Sequence, residues 1–350
     1  EDLLDALDDD SGSEVVEPPL ALGYPFFPTS TEADYFNWPE IPDIFPFTTP
    51  GIITARDELL VAIDRGELDR RLAAYFDENV SDAEMARLVP AAMKETRRFP
   101  AKTARRALLR RGLQPERIVR YAYRPFDVRW FYWEPETKLV EEKRAEAHEH
   151  FTDENVWLVS GQRQRKGFHP PMVVRTPCSF HLIENSSNLF PLEVMPEKKE
   201  PEDLFAGEVS PEAKPNMSSA ALFYLKALKA KEDDLFYHVL AIQHAPAFYR
   251  ENDQALRQDW PRVPLPATKA ALESSSKIGR EVAALLDPEA DVKGVTVGKT
   301  RPELRGFGVF TLPEGHSLNE AEDFAVRARW GYAGRTGITM PGRGDLRENP

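Results

Sequence analysis

The chain has 350 residues, 41% of them hydrophobic, which is more than one core needs and yet contains no run near the ~20 uninterrupted apolar residues of a membrane-spanning helix. A single cysteine, Cys178, excludes a disulfide framework or thiolate zinc site within the chain, and the opening EDLLDALDDD is unlike a basic, apolar leader, so a cytoplasmic protein is expected. The net charge of -13 argues against a polyanionic partner only as a sum, because residues 1–43 hold twelve Asp/Glu and no Lys/Arg, leaving the remainder near neutral.

Residues 1–43 read as an acidic, proline-rich arm. Pro18, Pro19, Pro25, Pro28, Pro39 and Pro42 deny it long helices, and the aromatics of YPFFPTSTEADYFNWPEIP suggest an extended strap on another surface. FPFTTPG (Phe45–Gly51) is a turn signal, and ARDELLVAIDRGELDRRLAAYF predicts an amphipathic helix interrupted near Gly66. Ser81 with Glu84 three residues on is a capping-box pattern opening a second helix, which Pro90 kinks or ends. AKTARRALLRRGL predicts a third, with Gly112 near its end and arginines in its last turn, where the helix dipole favours them. Residues 44–120 are therefore expected to form a helical connector.

Residues 86–130 carry thirteen Lys/Arg against Glu95, Glu116 and Asp127. Such a block is either a solvated helix face or a phosphate-contact surface, and only the second predicts steep salt dependence of binding. The phosphate-contact candidates are Arg97, Arg98, Lys102, Arg105, Arg106, Arg110 and Arg111.

From Ile118 the texture changes to short aromatic and β-branched runs: RIVRYAYR, DVRWFYW, NVWLVSG, PMVVR, SFHLIE and NLFPLEV, read as strands. Helices return in SSAALFYLKALKA and DDLFYHVLAIQHAPAFYREN, WPRVPLP is too proline-rich to be one, and a last amphipathic helix runs through Leu272 to Leu286. Residues 121–290 are expected to be one recognition domain. Residues 291–350 are expected to be a small glycine-rich β tail, ending on DLRENP without an evident closing element, as a fragment would. The fold class expected is mixed α and β (α+β).

Catalytic signatures are absent from the sequence. There is no GxGxxG or Walker A loop, no HExxH frame among the seven histidines and no GxSxG elbow. HEH at 148–150 sets its histidines on different helix faces and suits a surface helix better than a metal site.

YRPFDVRWFYW (Tyr123–Trp133) packs six aromatics, two arginines and one aspartate into eleven positions. Read as a strand, it sets Phe131 and Trp133 with Tyr123 on one face and Arg124, Phe126, Val128, Trp130 and Tyr132 on the other, with a bend at Pro125. Its role is expected to be scaffold, in which Arg124, Phe126, Asp127, Arg129 and Trp130 form an aromatic core with an Arg–Asp pair fixing the RPFD turn.

This stretch resembles the LYRPFDxRWxYY pattern of the C-terminal target-recognition region of type ISP restriction-modification enzymes and related single-chain adenine methyltransferases. Five further pieces occur in the family's order: Ile41–Asp64, Lys94–Leu108, Asn155–Val174, Ile183–Val194 and Leu235–Pro266, so that the likeness spans 41 to about 286. The chain departs from the pattern in LVEEKRAEAHEHF, where the family commonly has a proline-arginine run, and in EVMPEKKEPED, where it often has a longer aromatic ending. The family's upstream hallmarks, a glycine-containing S-adenosylmethionine loop and an NPPY-type motif, do not occur here.

The resemblance implies sequence-specific recognition of double-stranded DNA, which sets a target adenine for N6 methylation by a methyltransferase domain of the same polypeptide, with S-adenosylmethionine as that domain's cofactor and phage defence as its setting. Base reading requires Arg, Gln or Asn side chains on loops held by a rigid scaffold. GQRQRKG supplies Gln162, Arg163, Gln164, Arg165 and Lys166, and ENSSN supplies Asn185, Ser186, Ser187 and Asn188, although Asx and Ser clusters also form turns bonded to their own backbone. The competing readings are a protein-interaction module without DNA binding and an enzyme using Asp127, His169 or His181.

Overall fold

The computed structural model describes residues 34–152, 154–163, 168–183, 186–196 and 213–294, with the backbone of 332–333 and 339–340. Helices and small antiparallel sheets give the expected mixed α and β fold. The chain divides into two compact units, each assembled from separated segments: one from 49–156, 173–187 and the chain from 284 onward, the other from the chain up to 48, 157–172 and 188–283.

In the first unit the helices are α1 (Arg65–Tyr75), α2 (Asp82–Leu88) and α3 (Ala101–Arg111), and the strands are β1 (Val61–Ala62), β2 (Ile118–Arg124) and β3 (Asp127–Tyr132), in the antiparallel order β1-β3-β2. Leu68, Leu72 and Leu108 from the helices share one core with Tyr121, Tyr123, Phe131 and Trp133. The helical connector and the aromatic segment, expected on opposite sides of a boundary near 120, are thus one body. A three-stranded sheet needs a cover for its apolar face, and these helices supply it.

Local signals set several boundaries. Ser81 Oγ accepts the Glu84 N–H at 3.2 Å while Glu84 Oε2 accepts the Ser81 N–H at 2.9 Å, and α2 stops at Leu88, short of Pro90. The Glu95 carboxylate accepts the N–H groups of Ala101 and Lys102 at 3.0 Å each, capping α3, and Gly112 ends that helix at φ 83°. The helix expected across Ala55–Phe76 is instead one turn, Asp57–Leu60, followed by Val61 and Ala62 paired to Phe131 and Trp130. Gly66 lies in the first turn of α1, whose start is fixed by Asp64 accepting the Glu67 N–H at 2.8 Å.

YRPFDVRWFYW is a hairpin, not one strand. Arg124 and Asp127 are register partners across Pro125 and Phe126, and Phe126 adopts a left-handed φ of 62°, which costs a non-glycine residue about 1–2 kcal/mol. Tyr121 and Phe131 pack at 4.6 Å between ring centres, tilted by 33°, on the buried face. Asp127 of the RPFD turn pairs not with Arg124 but with Arg129 beyond the turn, Nη2 to Oδ2 at 2.7 Å, and the Arg129 guanidinium lies 4.0 Å over the Tyr123 ring. On the other face, Arg65 and Arg120 set their guanidiniums 5.0 and 4.8 Å from the Trp130 ring. SFHLIE, expected as a strand, makes a single parallel bridge, Ser179 with Ile52, next to that of Cys178 with Ala122, before turning at Ser179–Leu182.

The second unit contains β4 (Trp157–Gly161), buried along its whole length, beside all but the first residue of β5 (Ser187–Pro191), together with α4 (Ser219–Leu228), α5 (Glu232–Gln243), α6 (Pro246–Leu256) and most of α7 (Lys269–Leu286). The single helix expected over 233–252 divides at Ala245 because Pro246, with no N–H to give, fits the first turn of α6. Phe45 packs on Phe236 at 5.7 Å and on Phe190 at 6.4 Å, and Phe190 meets Trp260 edge-on. A Cβ at Gly279 of α7 would collide with the Tyr237 carbonyl of α5, so the two helices meet at a distance only glycine permits.

Residues 1–33 of the acidic arm lie outside the described residues. Its last stretch is no loose strap: Tyr35 shares a core with Phe168, Phe248 and Leu256, and Arg262 donates to the Trp38 carbonyl at 2.9 Å and to Glu40 at 2.6 Å. The expected tail at 291–350 lies mostly outside the described residues, apart from 291–294 and the antiparallel pairing of Tyr332–Ala333 with Thr339–Met340.

Burial lowers the pKa of His148 and His150 in the first unit and of His238 and His244 in the second, each from an ordinary value of 6.5. His238 Nε2 lies 2.8 Å from the Pro264 carbonyl and Nδ1 2.6 Å from Ser275 Oγ, an arrangement that a neutral ring satisfies. A folded pKa below the unfolded one gives stability that is fully present above pH 6.5 and lost as pH falls beneath it. The denaturant midpoint is accordingly expected to be lower at about pH 5.5 than at about pH 7.5, before most carboxylates titrate; equal midpoints would contradict this reading.

Candidate nucleic-acid interface

Burial sorts the basic block. Lys102, Arg106 and Arg110 recur every fourth residue on the exposed side of α3, a row about 12 Å long at 1.5 Å rise per residue. Arg97 and Arg98 are exposed in the loop before it, and Arg98 makes only a 3.7 Å contact with Glu141 while 77% exposed, an ion pair of little weight. These five cations are open to a phosphate.

Arg105 and Arg111 are not, which corrects the expectation for both. Arg105 faces inward with Ala101 and Leu108. Its Nε donates to the Tyr75 carbonyl at 3.0 Å, Nη2 to the carbonyls of Asp77 and Val80 at 3.1 and 2.7 Å, and Nη1 to Asp82 at 2.7 Å. It therefore ties α3 to the end of α1 and the start of α2. Arg111 and Arg117 converge on Glu134 at 2.5 and 2.9 Å, and both also reach Glu136.

Glu134 is fully buried and accepts the N–H groups of Glu136 and Thr137 as well. Burial pushes its carboxyl upward, but the hydrogen bond and charge of Arg111, with those two N–H groups, hold it below the usual carboxylate range. Arg120 pairs with Glu289 at 2.6 Å and Arg129 with Asp127. Four arginines of the block, Arg105, Arg111, Arg117 and Arg120, are thus neutralised by acids outside it.

Among the base-reading candidates, Gln162 is half-buried and donates to Asp259 at 2.9 Å, while Arg163 is exposed two residues beyond the end of buried β4. Gln164, Arg165, Lys166 and Asn185 lie outside the described residues. Ser187 is buried, its hydroxyl accepting the Ile183 N–H at 2.8 Å and donating to the Ile183 carbonyl, so it locks a turn and has no surface for a base. Ser186 and Asn188 are half-buried.

Of the residues expected as scaffold, Asp127 pairs with Arg129, Trp130 lies under the Arg65 guanidinium, and Arg124 donates to the Tyr123 carbonyl at 2.6 Å. Phe126 departs from expectation: it is 60% exposed at the hairpin tip. Strict alternation counts it as a strand residue; the usable signal is Pro125 before it and Asp127 after it, which together mark a tight turn. Among the described residues no three His, Cys, Asp or Glu side chains are placed to hold a metal, and no helix is long and apolar enough to cross a membrane.

The fold is similar to part of DrdV in a cryo-electron-microscopy DrdV–DNA complex, with a TM-score of 0.50 and 23% identity over 69% of this chain and 23% of that one. It is also similar to part of the ATP-dependent Type ISP restriction-modification enzyme LlaBIII bound to DNA, with a TM-score of 0.51 and 18% identity over 73% of this chain and 17% of that one. The chain therefore spans under a quarter of the length of these proteins, and at such identities the likeness is one of fold. No curated protein matches it. The model of one family, the Type ISP C-terminal specificity domain, matches residues 43–303, and to that family the chain belongs.

Proposed function

We propose that this chain recognises a specific sequence in duplex DNA on behalf of a restriction-modification enzyme. The observation that carries the reading is the open row Lys102, Arg106 and Arg110, with Arg97 and Arg98, on a helix rigidly held by buried Arg105 in a member of a specificity-domain family. Phosphate contacts fix register and orientation without reading sequence. Base contact is assigned to Arg163 and to its successors Gln164, Arg165 and Lys166; Arg pairs readily with guanine and Gln with adenine.

In the finer reading, this domain holds the duplex in register while a methyltransferase domain of the same polypeptide acts on an adenine taken out of the stack. The sequence of this chain has no glycine loop for S-adenosylmethionine, so the methyl donor is assigned to that domain.

Selection from a randomised duplex pool tests the proposal. One enriched motif is expected, and Arg163→Ala should weaken preference at a single base pair by about 1–3 kcal/mol while leaving non-specific binding in place. Salt-sensitive binding without any motif would leave phosphate contact alone, and no binding at low salt would favour a protein-interaction module.

A further inference from the structure

From the hairpin tip we infer that Phe126 is a wedge: on a duplex bound as proposed above, its ring enters the base stack at one step. Two independent features of Phe126 support this. The residue is 60% exposed, and it holds a left-handed φ of 62°, a turn position at which glycine or asparagine would sit without strain. An exposed phenyl ring there contributes little to the core, so the fold itself does not account for it. Among the described residues Phe126 is the one aromatic with a left-handed backbone.

The support beneath the ring is stiff. Asp127 chelates Arg129, whose Nε lies 3.0 Å from Oδ1 and Nη2 2.7 Å from Oδ2, and the Tyr123 hydroxyl donates to Asp57 at 2.7 Å. Arg124, immediately before the turn, is half-buried, fixed by the Tyr123 carbonyl and Ser179 Oγ with its guanidinium 4.3 Å over the Tyr123 ring. An apolar tip on a short two-residue turn beside a fixed cation has the chemistry of the side chains that unstack and kink duplexes: the cation favours approach to the phosphates and the ring replaces a lost base–base contact. Phe223 is more exposed, at 76%, but it lies on an ordinary helix without strain or a fixed cation.

The inference rests on the proposed DNA recognition, and the experiment separates the two. Duplexes carrying the selected motif, with 2-aminopurine placed at successive positions, are titrated with the full 350-residue chain; anisotropy reports binding and 2-aminopurine emission reports unstacking, compared at equal occupancy. A several-fold rise in emission at one step is expected. Phe126→Gly should abolish that rise and weaken binding about tenfold, while melting no lower than the parent because the left-handed turn suits glycine. Phe126→Trp should restore the rise. Persistence of the rise in Phe126→Gly, or bound duplex with no responsive position, would overturn the wedge and leave DNA recognition standing. If the parent chain binds no duplex, both fail.

Discussion

Arg105→Ala is expected to lower unfolding free energy by about 3–5 kcal/mol, although its neighbour Arg106→Ala should change it by less than about 0.5 kcal/mol. The two residues are adjacent and chemically identical, but Arg105 satisfies three backbone carbonyls and the Asp82 carboxylate from a buried position. Removing it leaves those carbonyls without donors and frees the ends of α1 and α2 from α3. Arg105→Lys should recover only part of the loss, since a point ammonium cannot reach four acceptors arranged around a fork. Denaturant titration of the three variants decides the matter, and equal losses at 105 and 106 would refute this account of α3.

Replacing Arg97, Arg98, Lys102, Arg106 and Arg110 together with alanine is expected to flatten the salt dependence of duplex binding. Each phosphate contact contributes about 0.9 to the slope of log affinity against log salt, so involvement of all five removes about 4.5. The preferred sequence should survive, because such contacts carry no base information. Thermal midpoints should barely move, as all five side chains are exposed. An unchanged slope would show that this row is a solvated face, and the interface would have to be sought elsewhere in the domain.

What was legible in the sequence was mainly local. The Ser81–Glu84 box, the Gly112 terminus and the stop before Pro90 all depend on residues within a turn of each other, and each occurs where expected. Val61–Ala62 escaped because its partners Phe131 and Trp130 are some seventy positions on, and a long-range strand partner overrides a helical pattern. Charge counting misjudged Arg111 for a similar reason: Glu134 and Glu136 lie beyond the block and are reached only after the chain has turned through the hairpin. The inward placement of Arg105 could have been found, since Ala101, Arg105 and Leu108 share one helical phase. Phe126 needed the turn type, which alternation alone does not give.

The end of β4 divides the labour of the second unit within two residues. Trp157 to Gly161 is core, Gln162 is tied to Asp259, and Arg163 is in solvent. If Arg163 and its successors read bases as proposed, stability and target choice are written in separate stretches of chain: a lineage could rewrite the residues after Gln162 repeatedly, acquiring new DNA targets, without renegotiating the packing that keeps the domain folded. An engineer grafting residues from a relative would do well to retain Gln162 and Asp259 as the fixed joint and to exchange the sequence from Arg163 onward.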